Sequence, residues 1–412
     1  MAVQVSRWQR IRKFFNDIHL WLGLSSGLVL VLICFSGTVY VFNTELTELG
    51  APHLYTVTPG DQPRIAADQF IEKVEKESGG KVTAISIPED LSRTYRYSVK
   101  VPGNNSRGGV GYMVNPYTGE ITGTTDDPNG VRDFMRTMFS LHRWLLLDKI
   151  ETPLIAGYTN RELGSMISGW ATIIFTLGCI TGLIIWIPKK LKNWKQGLKI
   201  KFSANWKRIN HDLHNTLAFY SVIFLLIMGL TGPQWSFSWY REGLQKSLGT
   251  YQPKKQGEKK SLQSSVPSLE NRATLPLMTV LEHANDQLPY QGVYSISLPE
   301  DSSGVLGISK YKTGFFAPAA ADRLSMDQYT GNILNKEIFS EKPFNERIAG
   351  SIKALHIGTV YGMFSKIIYF ITCLIATSLP ITGTMIWYNK LKKKKNKVKK
   401  TMPIRHLQPE QI

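Results

Sequence analysis

Four long apolar runs constrain this chain more than anything else in it: residues 21–42, 166–187, 213–235 and 367–388. Each approaches the roughly 20 residues that take a helix across a hydrocarbon core of about 30 Å. No water lies at that depth, so each run must satisfy its backbone N–H and C=O groups internally, and a helix does so. Taken with their flanks, the spans are expected at 17–42, 164–187, 211–235 and 364–388. That leaves an N-terminal segment 1–16, a loop 188–210 and a tail 389–412 on one side, with two large segments, 43–163 and 236–363, on the other. The first run is longer than a signal-peptide core and no small-residue cleavage site follows it, so it is expected to be retained.

Charge orients this topology. The two terminal segments and the loop hold 21 of the 49 Lys and Arg, and with their edges only Asp17, Asp212 and Glu410 of the acids, so they carry the whole formal net charge of +18. The two large segments hold 27 basic and 28 acidic residues and, with Lys366 at the edge of the last span, balance. Positively charged flanks stay in the cytoplasm, which places both termini and the loop there and both large segments outside. The run Lys392-Lys393-Lys394-Lys395 suits anionic lipid headgroups, and nucleic acid is not needed to explain it. Cys34, Cys179 and Cys373 each fall inside an apolar run, and no CxxCH motif offers covalent haem attachment.

The chain also repeats itself. Arg12-Lys13-Phe14-Phe15-Asn16-Asp17-Ile18-His19 aligns with Lys207-Arg208-Ile209-Asn210-His211-Asp212-Leu213-His214 at an offset of 195. Both stretches run on without a gap to Ser36-Gly37 and Thr231-Gly232. Val82-Thr83-Ala84-Ile85-Ser86-Ile87-Pro88 matches Val293-Tyr294-Ser295-Ile296-Ser297-Leu298-Pro299 at 211, and Tyr117-Thr118-Gly119 matches Tyr329-Thr330-Gly331 at 212. Thr181-Gly182 and Trp186 match Thr382-Gly383 and Trp387 at 201. Matches in one order imply a parallel internal duplication about an axis along the membrane normal. Each outer segment reads as a small α+β module: a helix (66–77, or 277–287), short alternating strands such as 82–87, 94–101 and 111–114, and a Tyr-Thr-Gly turn whose glycine is free to take positive φ. The fold class expected is an integral membrane α-helical bundle of four transmembrane helices with two extracytoplasmic α+β domains.

Duplication gives the histidines their meaning. His19 and His214 occupy matching positions near the cytoplasmic face, and His142 and His356, each after a leucine, form a second pair near the outer face. Imidazole beside a span serves a hydrogen bond, a proton relay or a metal bond. A relay would recruit carboxylates, and the apolar runs contain none. Zinc would ask for four ligands close together. Two facing histidines suit the axial positions of haem iron, so two haem sites are expected, with a simple interfacial hydrogen-bonding role as the alternative. His211 lies at i+3 from His214 on one helical face and competes with it; the repeat register favours His214. Gly23 and Gly27 bare one face beyond His19, leaving room for a flat macrocycle or for close helix packing. Arg143, Lys353, Lys207 and Arg208 are candidates to meet haem propionates or lipid phosphate. His53, His283 and His406 are assigned nothing.

His19-Leu20-Trp21-Leu22-Gly23-Leu24, the two Leu-His pairs and Thr181-Gly182-Leu183-Ile184-Ile185-Trp186 resemble the PepSY-associated transmembrane family, and the two Tyr-Thr-Gly turns resemble its PepSY-type outer domains. The resemblance covers nearly the whole chain. It implies a bacterial inner-membrane protein related to iron-regulated proteins and ferric-siderophore reductases with haem b, passing electrons from the cytoplasmic side to an iron chelate outside. The loop 188–210 is too short for a fused flavin or nicotinamide domain, and no GxGxxG motif occurs, so the electron donor is expected to be a quinol or a separate reductase. No catalytic nucleophile or general base is expected. Two other readings stay open: a non-enzymatic membrane-anchored binding protein, and a b-type cytochrome serving another acceptor.

Overall fold

The computed structural model describes residues 7–103, 108–188, 191–253, 262–266 and 273–401; His406 and Glu410 lie outside them. In chain order the elements are α1 (Arg7–Tyr40), α2 (Asn43–Leu49), α3 (Pro52–Tyr55), α4 (Ile71–Ser78), β1 (Lys81–Ile87), β2 (Tyr95–Lys100), β3 (Val110–Val114), β4 (Ile121–Thr124) and α5 (Gly130–Trp144). There follow α6 (Asn160–Trp186), α7 (Trp206–Thr231), α8 (Ser238–Ser247), α9 (Leu277–Gln287), β5 (Gly292–Ser297), β6 (Val305–Lys312), β7 (Ala321–Asp327), β8 (Ile333–Glu337), α10 (Phe344–Ile357) and α11 (Gly362–Thr401). They form two compact units: Met1–Tyr40, Thr137–Arg241 and Tyr369–Ile412 make one, Val41–Arg136 and Glu242–Ile368 the other.

The first unit is built on α1, α6, α7 and α11, the four helices among the described residues that are long and apolar enough to cross a membrane. α6 starts on a capping box in which Thr159 and Glu162 satisfy one another's backbone N–H groups, and α7 starts on Asn205, whose side chain accepts from Arg208 N–H. α1 begins ten residues before the expected span and α11 runs past residue 388 into the lysines, because Lys and Arg continue a helix well once their charged ends reach water. Inside the unit small residues bring backbones together: a Cβ on Gly229 would meet Thr176 Oγ1 at 2.5 Å, and one on Gly169 would meet Phe237 at 2.6 Å. Buried Ser36, Thr176, Ser221 and Thr231 remain affordable in these apolar helices because each hydroxyl donates to a carbonyl one turn back. The three cysteines are free.

The second unit holds one eight-stranded antiparallel sheet in the order β4-β3-β2-β1-β5-β6-β7-β8. An α+β module in each of the two large segments was the expectation from sequence. The two segments instead share a sheet, because β1 and β5 pair edge to edge, Ile85 opposite Ile296, and thereby close each other's open edge. One face is covered by α4 and α9, whose Phe70, Val74, Val280 and Ala284 side of the chain packs on Val82, Ile85, Tyr97, Ile296, Ile308 and Met326. Leu277 N–H at the start of α9 donates to Asp68 Oδ2 at 2.9 Å, tying the helical segments of the two halves. The expected turns are present: Gly119 sits at φ +70° and Gly331 at +71°. Tyr117 and Tyr329 each donate a phenolic hydrogen bond to the preceding hairpin loop, at Leu91 O and Ser302 O, a structural role.

Candidate functional site

The basic end of the helical unit encloses a cavity of about 850 Å³, within the roughly 300–1,000 Å³ usual for a cofactor or small ligand. His19 of α1 and His214 of α7 both line it. Their ring centroids are 6.3 Å apart and their planes cross at 77°.

Each ring is held through Nδ1. His19 Nδ1 lies 3.1 Å from the Gly178 carbonyl and 3.1 Å from Thr181 Oγ1, and His214 Nδ1 lies 2.9 Å from Thr382 Oγ1. Both threonine hydroxyls already donate to their own helices, Thr181 to Leu177 and Gly178, Thr382 to Ser378 and Leu379. A hydroxyl has one proton, so towards the imidazole each threonine is an acceptor. Nδ1 therefore carries the ring proton in both histidines and Nε2 carries the lone pair, which is the ligand tautomer for a metal. The glycine after each threonine seats the ring: a Cβ on Gly182 would lie 3.2 Å from His19 Cε1, and one on Gly383 3.2 Å from His214 Cε1.

The spacing tests whether a metal fits. Two metal–imidazole bonds of about 2.0 Å and two ring radii of about 1.1 Å set centroids about 6 Å apart, which agrees with the 6.3 Å observed. Among the described residues no three or more His, Cys, Asp or Glu side chains are grouped to hold a metal ion, so a tetrahedral zinc site is not assembled. Two axial imidazoles beside a cavity of macrocycle size are what these residues fit.

The remaining sequence candidates divide. His211 lines the cavity and lies beside Asp212, at 3.5 Å, and Asn215. Gly23 faces open space on the cavity wall, whereas Gly27 packs on Pro380, whose Cβ would be 3.4 Å from an added methyl. Arg208 is committed to Asp212 at 2.8 Å, and Lys207 and Lys353 are exposed. Arg12 and Lys390, not singled out from sequence, stand on the cavity wall, Arg12 donating to Ile185 O at 3.0 Å. The exposed Trp239 and the half-buried Phe237 gain a partner from α6 in Trp170, at 6.4 and 5.4 Å between centroids.

His142 lies in the last turn of α5, within the helical unit. Its Nδ1 donates to the Ile33 carbonyl of α1 at 2.9 Å, and a Cβ on Gly37 would meet the ring at 3.0 Å, so it too is seated against a glycine. Beyond it the chain turns sharply through Leu145 and Leu146, at φ +55° and +63°, a strained conformation for leucine. The turn is clamped by α6, where Ser168 Oγ donates to Arg143 O at 2.8 Å and Gly164 leaves room for the Trp144 carbonyl. Arg143 itself donates to Trp235 O at 3.3 Å. His356 belongs to the second unit, in the last turn of α10, which ends at Gly358 with φ +78°.

Four membrane-length helices, paired imidazoles between them and an α+β sheet unit define a class of integral membrane protein. Residues 17–390 match the PepSY-associated TM region, and the chain belongs to that family. Comparison with curated proteins gives no match.

Proposed function

We propose that this protein is a haem-carrying inner-membrane reductase that delivers electrons from the cytoplasmic side to ferric iron held by a siderophore-type chelate outside. The observation that carries the reading is the His19–His214 pair: two imidazoles in the ligand tautomer, with ring centroids at the spacing of two ligands on one metal. In this reading the basic end of the bundle is cytoplasmic, the sheet unit is periplasmic, and the chain is an internal duplication. Haem b bound at the pair would supply reversible one-electron chemistry. The chain's part is to hold it. His19 and His214 would hold its iron, Thr181 and Thr382 would keep their Nδ1 atoms protonated, and Gly23, Gly182 and Gly383 would keep the space clear. His142 and His356 would each be a candidate ligand for a second haem.

The substrate, ferric iron on hard oxygen donors, gains one electron and leaves as ferrous iron, which such donors hold more weakly. No bond of the chelator breaks, so no nucleophile or general base is required. The electron comes from a quinol or a separate reductase.

Purified in detergent after expression with adequate haem, the protein is expected to be coloured, to be reduced by dithionite, and to reoxidise on mixing with ferric chelates. His19→Ala and His214→Ala should each remove the same one of two haems. A colourless wild-type protein would end the haem reading. A coloured protein whose reduced form ignores every chelate would leave a cytochrome with another acceptor.

A further inference from the structure

The second unit carries an aromatic tip that neither its core nor electron transfer uses. Between β6 and β7 the chain runs Thr313-Gly314-Phe315-Phe316-Ala317-Pro318-Ala319-Ala320, whereas the β2–β3 connection, Val101-Pro102-Gly103-Asn104-Asn105-Ser106-Arg107-Gly108-Gly109, is polar. Phe315 is 50 % exposed and Phe316 63 %. Their ring centroids lie 4.9 Å apart and 6.3 and 5.0 Å from that of Phe364. Phe364 and the nearby Tyr361 are themselves 40 % and 55 % exposed.

This tip is held in place. Ala319 N–H donates to Val360 O and Phe364 N–H to Phe315 O, and Pro318 bridges to Tyr361. Gly362, at φ +55°, lies against the carbonyls of Gly314, Phe315 and Ala317, where a Cβ would come within 3.0–3.4 Å. Ser365 Oγ accepts from Tyr361 N–H at 2.9 Å and donates to Gly358 O at 2.7 Å. In the same turn the buried Lys366 pairs with Glu45 at 2.6 Å. Four aromatic rings are therefore fixed in an exposed patch, and patches of that kind mark a surface that something covers.

Position identifies the cover. Phe364 is in the first turn of α11, the helix whose span-length stretch is Gly362–Lys393. The first turn of a helix entering a bilayer lies at the water–lipid boundary, where aromatic side chains concentrate. Three phenyl rings suit the acyl side of that boundary, and a tyrosine, apolar with a polar end, suits the boundary itself. We propose that Phe315, Phe316, Tyr361 and Phe364 form an interfacial anchor that inserts into the headgroup–acyl boundary and fixes the β6–β7 end of the sheet on the lipid surface.

The test uses the full chain in nanodiscs of phosphatidylcholine and phosphatidylglycerol, spin-labelled at Phe316→Cys and, separately, at Ala317→Cys. Glu72→Cys on α4 serves as the aqueous reference, and the unsubstituted chain gives the background from native cysteines. At both tip positions collisions with oxygen should rise and those with a water-soluble nickel chelate should fall several-fold relative to Glu72→Cys. Labels as open to nickel as the reference would overturn the proposal. So would labels shielded from both oxygen and nickel, which would mean that protein rather than lipid covers the patch.

Discussion

A threonine hydroxyl committed to its own helix can offer an imidazole only a lone pair, and this makes Thr382 a sharp place to probe the site. Valine keeps the shape and removes the acceptor. Losing such an outer partner typically costs about 10–100-fold in metal affinity, so if the pair holds haem as proposed, Thr382→Val is expected to retain it about 10–100-fold less tightly, read by transfer to apomyoglobin; unchanged transfer would reject the assigned tautomer. Gly383→Ala pushes a methyl to 3.2 Å from His214 Cε1, so on the haem reading its visible spectrum should shift, while Gly243→Ala in α8, off the cavity and with open space around the new methyl, should leave the spectrum alone. In the sheet unit, Asp327 is the residue that links stability to pH. Burial alone would raise its pKa, but hydrogen bonds from Ser265 side chain and backbone, and from the Thr330 and Tyr329 N–H groups, outweigh this and hold it down at about 2. The folded value lies below the unfolded value of about 3.9, so the contribution, about 2 kcal/mol, is complete above pH 4 and is lost as pH falls towards 2. Denaturant titrations should show that slope, and Asp327→Asn should remove it. The histidine register was legible because both members fall at one offset; the service of Thr181 and Thr382 was not, since each acts on a ring more than 150 residues away in the chain.

Among the elements, those set by local pattern were the most readable. α9 spans 277–287 as expected, and the apolar runs located all four long helices. The pairing of β1 with β5 was hidden, because each strand offers an equivalent apolar pattern and an edge that many partners could satisfy. The turn at Leu145–Leu146 was equally hidden, since leucine rarely adopts positive φ and the clamp from α6 that helps hold it there comes from a distant part of the chain. Ile85 and Ile296 oppose each other at the β1–β5 seam and are both fully buried. Ile296→Ala should destabilise the sheet unit by about 2–5 kcal/mol. The same substitution should raise hydrogen exchange in β2 as well as in β6, whereas an effect confined to β5–β8 would mean that the seam carries little.

At the scale of the whole molecule the two units interleave along the chain, each assembled from separated segments. The continuous sheet should open as one cooperative body, so amides of β2 and β6 in the intact protein should share one opening free energy in native-state exchange; two distinct values would show halves that fold independently. The seam also sets a schedule for biogenesis. β1 leaves the ribosome about 210 residues before β5 is finished, which at about 5–20 residues per second is roughly 10–40 s. For that interval the nascent first half presents an unpaired strand edge while α6 and α7 are still being synthesised, an opening for wrong pairing that the finished seam closes.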